Sequence, residues 1–249
     1  MFDLSSVTKA LLLGDSHGDP YFMRRAVSAA KDHDCDCIFQ VGDFGYWPRD
    51  TRTSTMFLKD YGLPVVFLDG NHEDHDELEK FTEDINEVAP NIFYIPRGSV
   101  HEISGKRILF IGGAYSIDWK SRVKGIDWFP QEQITQEQLE KCLEHKNIDM
   151  VLTHDCPMSC NIVGALNYPS SIHNREKLQK VQDALSPDFW FFGHYHKPFK
   201  KYDYHTDTFF HCLVANVNQD RIAVSFNFVS GKMQEIDLDA AIPEPKQSD

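Results

Sequence analysis

Five apolar runs along this chain each end in side chains that bind metal ions. Residues 11–13 lead to Asp15 and His17, 38–41 to Asp43, and 65–68 to Asn71 and His72. Residues 150–152 lead to His154, and 189–192 to His194 and His196. A lone histidine in a loop is ordinary polar surface, and Gly70-Asn71 alone is a common turn at a strand end. The repetition is what carries the signal. In Asp15-x-His17 and His194-x-His196, alternate residues of an extended segment face the same side, so both members of each pair can point at one ion. Carboxylate, amide oxygen and imidazole without thiolate suit Mn²⁺, Fe, Co²⁺, Ni²⁺ or Zn²⁺ rather than Ca²⁺ or a structural cysteine–zinc site. The seven candidate ligands, Asp15, His17, Asp43, Asn71, His154, His194 and His196, exceed what one ion needs. They support two ions about 3.5–4 Å apart, the separation of hydrolytic two-metal sites. His72 remains as an imidazole able to carry a proton.

The elements that must position these groups are readable from periodicity and punctuation. Strands are expected at 9–13, 37–41, 65–68, 149–152 and 188–192. In an open α/β sheet, ligands bind outside the carboxyl ends of the strands. If these five share a sheet, their ends gather every candidate ligand. Asp19-Pro20 predicts a helix start, with Asp as the cap and Pro at the first helical position, running to about residue 32. The first two strands around it form a right-handed βαβ unit. Further helices are expected at 53–60, at 133–145 and, capped by Asn174, at 174–185. A very acidic helix over 74–87 reads as a solvated face. Short strands at 91–95, 100–103 and 107–111, without helices between them, suggest a second and more antiparallel sheet. Strands at 209–214 and 222–228 complete it. Residues 117–130 read as an ordered loop, 156–171 as a loop, and 239–249 as a loose tail after a single domain spanning 1–238.

Composition excludes several classes. At 249 residues the chain buries one large core, and 41% hydrophobic with 25% charged residues is ordinary for a globular protein. A net charge of -13 disfavours a dedicated binder of long nucleic acid, which needs a broad basic face. Met1-Phe2-Asp3-Leu4 lacks a basic start and a long apolar run, and no stretch is long and apolar enough to span a membrane. These features predict a soluble, cytoplasmic protein. Cys35, Cys37, Cys142, Cys156, Cys160 and Cys212 form no CxxC pair and read as reduced, packed thiols.

The ordered set Asp15-Ser16-His17, Gly42-Asp43, Gly70-Asn71-His72-Glu73, Thr153-His154-Asp155 and Gly193-His194-Tyr195-His196 resembles the calcineurin-like metallophosphoesterase family. Each motif alone is weak; their order from residue 15 to 196 is specific. The resemblance implies an α/β fold, a four-layer αββα sandwich of two mixed β-sheets flanked by helices. It also implies roles. Asp15, His17 and His196 would hold one divalent ion, Asn71, His154 and His194 another, and Asp43 would bridge them, with Mn²⁺ the preferred metal. Hydroxide bridging the two ions would attack phosphorus, and His72 would protonate the leaving alkoxide. Two nearby cations lower the pKa of His72, so it needs an anionic neighbour, Glu73 or Asp74, or the substrate itself, to stay charged. Tyr195 is expected to point away into the core.

The ester class rests on fewer residues. Where the family's protein-phosphatase branch continues with a DRG sequence, this chain has Phe44-Gly45-Tyr46-Trp47. Loss of that phosphate-gripping arginine leans toward diesters, which carry less charge. Phe44, Tyr46 and Trp47 could stack on a nucleobase, or pack in the core. The loop from Gly113 through Tyr115 and Ser116 to Asp118, with Arg122 and Trp128 beyond it, resembles one in small bacterial and phage metallophosphoesterases. Arg122 is the candidate phosphate contact, with Tyr115 beside it. The expected substrate is a small phosphodiester or nucleotide, with 2′,3′-cyclic nucleotides first because their strained ring expels its alkoxide readily. A phosphomonoesterase or protein phosphatase is the alternative. A non-catalytic scaffold of the same fold would have an eroded ligand set, and an exonuclease would need a basic groove.

Overall fold

The computed structural model describes residues 2–162 and 169–240. The strand β1 (Lys9–Leu13) leads into α1 (Pro20–Asp32), whose start is fixed by Asp19: its carboxylate accepts the backbone N–H of Tyr21 and Phe22. β2 (Cys37–Val41), α2 (Thr51–Met56), β3 (Val65–Leu68) and α3 (His75–Leu78) follow, then β4 (Asn86–Ala89) and β5 (Ile92–Tyr94). The chain next forms β6 (Ser99–Ile103), β7 (Lys106–Ile111), α4 (Gln136–Leu143), β8 (Met150–Thr153), α5 (Pro169–Leu185) and β9 (Phe189–Phe192). It ends with β10 (Phe199–Asp203), β11 (Thr208–Cys212), β12 (Ile222–Asn227) and β13 (Met233–Asp237).

These strands make two mixed sheets. The first has the order β13-β12-β1-β2-β3-β5-β4 and the second β10-β11-β9-β8-β7-β6. Leu12, Phe39, Val66 and Phe93 from the first sheet pack on Ile108, Phe110, Leu152 and Phe191 from the second. The outer face of the first sheet is covered by α1 through Phe22, Met23 and Ala26. The outer face of the second is covered by α4 and α5 through Leu139, Leu178 and Val181. The result is the expected αββα sandwich. No helix among the described residues is long and apolar enough to cross a membrane. All six cysteines are free and buried.

Strand partition differs from the sequence reading. β1, β2 and β3 lie side by side in the first sheet, but β8 and β9 belong to the second, so the five ligand-bearing strands do not share a sheet. β5 joins the first sheet, parallel to β3, and β12 pairs with β1 there. The second sheet is parallel at its centre, through β7, β8, β9 and β11, and antiparallel only at its edges. The acidic helix expected over 74–87 is four residues long. It ends at Leu78, and further on Asn86 bonds back to Glu83, accepting its N–H and donating to its carbonyl, where the chain turns into edge strand β4. Nor does its start form a solvated face, because Glu73, Asp74 and His75 are buried. α5 begins at Pro169, so Asn174 is not its cap. Asn174 instead bonds from inside the helix to Ile134 N–H, Asp155 and the Gly113 carbonyl. Residues 163–168 of the expected loop and 241–249 of the expected tail lie outside the described residues. Asp239, the first residue of that tail, pairs with Arg25 and Arg221.

A buried ion pair sits where the chain crosses from one sheet to the other. Arg97, between β5 and β6, donates to the Asp69 carboxylate at 2.9 and 2.5 Å, and the Tyr94 hydroxyl donates to it at 3.1 Å. Burial pushes the Asp69 carboxyl up, but Arg97 and His75 outweigh it and hold the pKa below the usual range. The Asp69 carbonyl also accepts the N–H of Gly113, which follows β7 of the other sheet. Arg97→Leu leaves this buried carboxylate without its cation, and the expected loss is about 3–5 kcal/mol of unfolding free energy. Adding Asp69→Asn should restore part of it, as urea denaturation would measure. Equal losses in the single and double variants would assign the effect to packing instead.

Candidate metal centre

The carboxyl ends of β1, β2 and β3 face those of β8 and β9 across the seam between the sheets. Asp15, just beyond β1, is fully buried, and its carboxylate accepts the N–H of His194 at 3.1 Å. Its Oδ2 lies 2.8 Å from His196 Nε2 and 3.9 Å from His17 Nε2, and the two imidazole nitrogens are 3.2 Å apart. Asp43, just beyond β2, is also buried. Its Oδ1 accepts the N–H groups of Asn71 and His72, each at 2.8 Å, and lies 3.3 Å from His154 Nε2. Its Oδ2 lies 3.9 Å from His17 Nδ1 and 4.0 Å from His72 Nε2. Two groups of ligand atoms result, Asp15–His17–His196 and Asp43–His154–His194, each with its atoms within 4.8 Å of one another. Asn71 Oδ1 joins the second at 3.2 Å from His154 Nε2.

Backbone conformation aims these groups. His17, Asp43, His194 and His196 have φ of 47°, 51°, 67° and 50°. A residue other than glycine is rarely left-handed, and such positions concentrate at functional sites. Two glycines make the space. A Cβ on Gly70 would lie 2.1 Å from Asp43 Oδ1, and one on Gly193 would lie 2.2 Å from Asp15 Oδ1.

The donor chemistry fits cations. His154 Nδ1 is 2.8 Å from the Val41 carbonyl, which only accepts, so Nδ1 carries the proton. Nε2 of the neutral ring is then a lone pair, and it faces Asn71 Oδ1 and Asp43 Oδ1. Three acceptors turned toward one another repel unless a positive charge lies among them. In the metal-free protein that charge is a proton: burial opposes a charged His154, but Asp43 and Asp15 outweigh it and raise the pKa to about 10, and a bound cation would take the proton's place. Burial likewise works to raise Asp43, and His154, His72 and His17 hold it well below the usual carboxylate range. The residues present therefore suit two divalent ions.

A model of the calcineurin-like phosphoesterases matches residues 8–198. The chain belongs to the calcineurin-like phosphoesterase family. This family depends on a pair of divalent metal ions. Its relatives include lariat debranching enzymes. That of Schizosaccharomyces pombe is 27% identical over 168 residues, covering 57% of this chain and 35% of that protein. That of Danio rerio is 28% identical over 183 residues, covering 61% and 31%. The chain thus spans about a third of the length of these curated relatives. Among solved structures, a dimetal phosphatase from Danio rerio has a TM-score of 0.60 at 14% identity, over 93% of this chain and 96% of that one. A protein from Thermus thermophilus has a TM-score of 0.58 at 14% identity, over 94% and 100%. At these identities the likeness is one of fold.

The remaining expected site residues divide. Arg122 is brought in: its Nη2 lies 2.8 Å from His72 Nε2 and 2.7 Å from Asp118. Trp47 lines a groove of about 670 Å³ with His17, Arg49, Asp74 and Ile126. Tyr115 is half-buried beside Ser116. Phe44 and Tyr46 are not available to a substrate. Phe44 is fully buried between Phe57 and Phe67, and Tyr46 packs on Phe67 and Phe81. Neither proposed anionic neighbour of His72 is beside it. Glu73 turns inward and accepts the N–H groups of Phe44, Gly45 and Gly70, while Asp74 pairs with Arg49. Burial lowers the pKa of His72, and Arg122 lowers it further against the pull of Asp43. Tyr195 points away, its hydroxyl donating to Asp155 at 2.5 Å.

Residues that the sequence did not single out complete the surroundings. Asn71 Nδ2 donates to Ser116 Oγ at 3.0 Å, and Ser116 donates to Glu132. Burial lifts the Glu132 carboxyl to about 7, against the bonds from Ser116 and Phe129. Gly193→Ala offers a direct check of the cradle: the new methyl must displace the Asp15 carboxylate. Mn²⁺ affinity measured by calorimetry is expected to fall about 10–100-fold, the range for disturbed support around a metal ligand. Unchanged affinity would show that Asp15 is not held for metal.

Proposed function

We propose that this chain hydrolyses small phosphodiesters at a centre of two divalent ions, with His72 as the proton donor. One observation carries the reading: two ligand groups meet at Asp43, and His72 and Arg122 stand side by side at their open flank. Asp15, His17 and His196 would hold one ion and Asn71, His154 and His194 the other, with Asp43 shared between them. When bound, such ions polarise phosphoryl oxygens and make a water molecule acidic, and Mn²⁺ suits the mixed oxygen and nitrogen donors. The rest falls to the chain's own groups. Arg122 donates to His72 Nε2 and so keeps that nitrogen an acceptor. A phosphate oxygen that draws the guanidinium away adds a second anion beside His72, after Asp43, and frees Nε2 to carry a proton to the leaving oxygen.

Among the described residues Arg122 reaches His72, while Arg49 in the adjoining groove is paired with Asp74, and one guanidinium at the donor matches the lower charge of a diester. Trp47 and its groove supply an aromatic wall for a nucleobase. These features favour a cyclic nucleotide, the 2′,3′ isomers first. The second reading is a larger nucleic-acid diester. It is favoured by the relatives named for lariat debranching, and the net charge of -13 weighs against it.

The test is turnover by metal-stripped protein reloaded with Mn²⁺, on a simple diester, its matching monoester, 2′,3′- and 3′,5′-cyclic nucleotides, and linear and branched RNA oligonucleotides. Diester turnover should exceed monoester turnover. A tenfold excess for the monoester would overturn the proposed class, and preference for the branched RNA would select the second reading. His72→Ala should keep both ions in a metal titration while kcat falls about 10²–10⁴-fold. Parallel loss of metal and turnover would make His72 a ligand instead.

A further inference from the structure

We propose that Glu132 is a positioning residue for the centre, acting through Ser116 on Asn71 and through its own second oxygen on the segment that carries Arg122. The inference rests on the reading of Asn71 as a metal ligand. An asparagine amide presents an oxygen on one side and an NH₂ on the other, and only the oxygen binds a cation. Something must therefore fix which side faces His154 and Asp43.

The side chains that do so are buried, with Ser116 and Glu132 each 2% exposed. In its ionised form Glu132 only accepts, and its Oε2 lies 2.5 Å from Ser116 Oγ, so with Glu132 ionised the one hydroxyl proton of Ser116 points at it. Ser116 then turns a lone pair toward Asn71, 3.0 Å away, and the amide can answer only with an N–H. Its oxygen is left facing His154 Nε2 at 3.2 Å. The direction of each bond follows from the last acceptor in the chain, which is Glu132.

The other carboxylate oxygen has separate work. Glu132 Oε1 accepts the N–H of Phe129 at 3.1 Å and lies 4.0 Å from Arg122 Nη1. Arg122 reaches from there to His72. One buried carboxylate thus orients a ligand of one ion and, through Phe129, holds the segment that carries Arg122, whose own close partner is Asp118 at 2.7 Å. Its neighbours fit this role: Gly113, at the start of the same loop, bonds to the Asp69 carbonyl at 2.8 Å, which ties the loop to the end of β3 just before Asn71.

Two variants, Ser116→Ala and Glu132→Gln, separate this role from a structural one. Gln cannot accept at both ends, so either Ser116 or the Phe129 N–H loses its acceptor. The full chain is stripped of metal and titrated with Mn²⁺, with binding followed by calorimetry and by electron paramagnetic resonance, and melting is recorded without metal. Ser116→Ala and Glu132→Gln should each weaken one of two Mn²⁺ sites about 10-fold or more and leave the other unchanged. In Glu132→Gln, KM should also rise through Arg122, while Ser116→Ala leaves KM close to wild type. Wild-type affinity at both sites in both variants would overturn the relay while leaving the proposed function standing. Equal loss of both sites together with lowered melting of the metal-free protein would also overturn it, in favour of a merely structural role. Fewer than two Mn²⁺ bound by the wild type would overturn the proposed function and the relay together.

Discussion

A buried carboxylate and a buried imidazole, bonded across the seam between the sheets, hold the candidate centre in place. Asp15 belongs to the first sheet and accepts an N–H from His194 of the second. His154 belongs to the second and donates to the Val41 carbonyl of the first. The backbone carbonyl of Asp69, rather than its carboxylate, likewise accepts the N–H of Gly113 from the second sheet. A carboxylate taken out of water without donors or cations is strongly unfavourable, so each such group tolerates burial only while the opposite sheet is in register. The apolar layer between the sheets supplies most of the burial but no direction. Direction comes from these polar bonds at the rim, and the centre is a property of the seam rather than of either sheet.

Much of this was legible in the sequence because it is local. Asp15-x-His17 and His194-x-His196 sit at ends of buried runs, and the cap at Asp19 is written in two adjacent residues. The assignment of strands to sheets was not legible. Buried parallel strands such as residues 65–68, 150–153 and 189–192 read alike, as short apolar runs with no polar face to tell which partner they meet. The acidic stretch after His72 misled for a different reason. Its charges suggest solvent, but Asp74 is matched by Arg49, some 25 positions earlier, and Glu73 by backbone donors. Phe44 and Tyr46 carried no periodicity that would separate packing from stacking. Ser116 and Glu132 are 16 residues apart with no shared pattern, and their link exists only because the loop folds back.

The place of Arg122 changes how the acid–base chemistry is read. A histidine beside two cations was expected to borrow an anion from the chain. The chain places a guanidinium 2.8 Å from Nε2 and the Asp43 carboxylate farther off at 4.0 Å, so under the proposed function a further anion arrives with the substrate. On that proposal, a proton donor armed by its own substrate would stay idle in the resting protein. That suits a site whose groove is open beside His17.

The left-handed backbone at His17, Asp43, His194 and His196 has a consequence for how such a site can change over evolutionary time. At those positions the fold itself tolerates glycine, asparagine and aspartate far better than a β-branched or bulky residue. Drift away from metal chemistry is therefore channelled: the first neutral steps open to the chain are to small polar residues or glycine. A descendant that had abandoned catalysis would still show Gly, Asn and Asp at these four turns, a conformational imprint outlasting the ligands that once stood there.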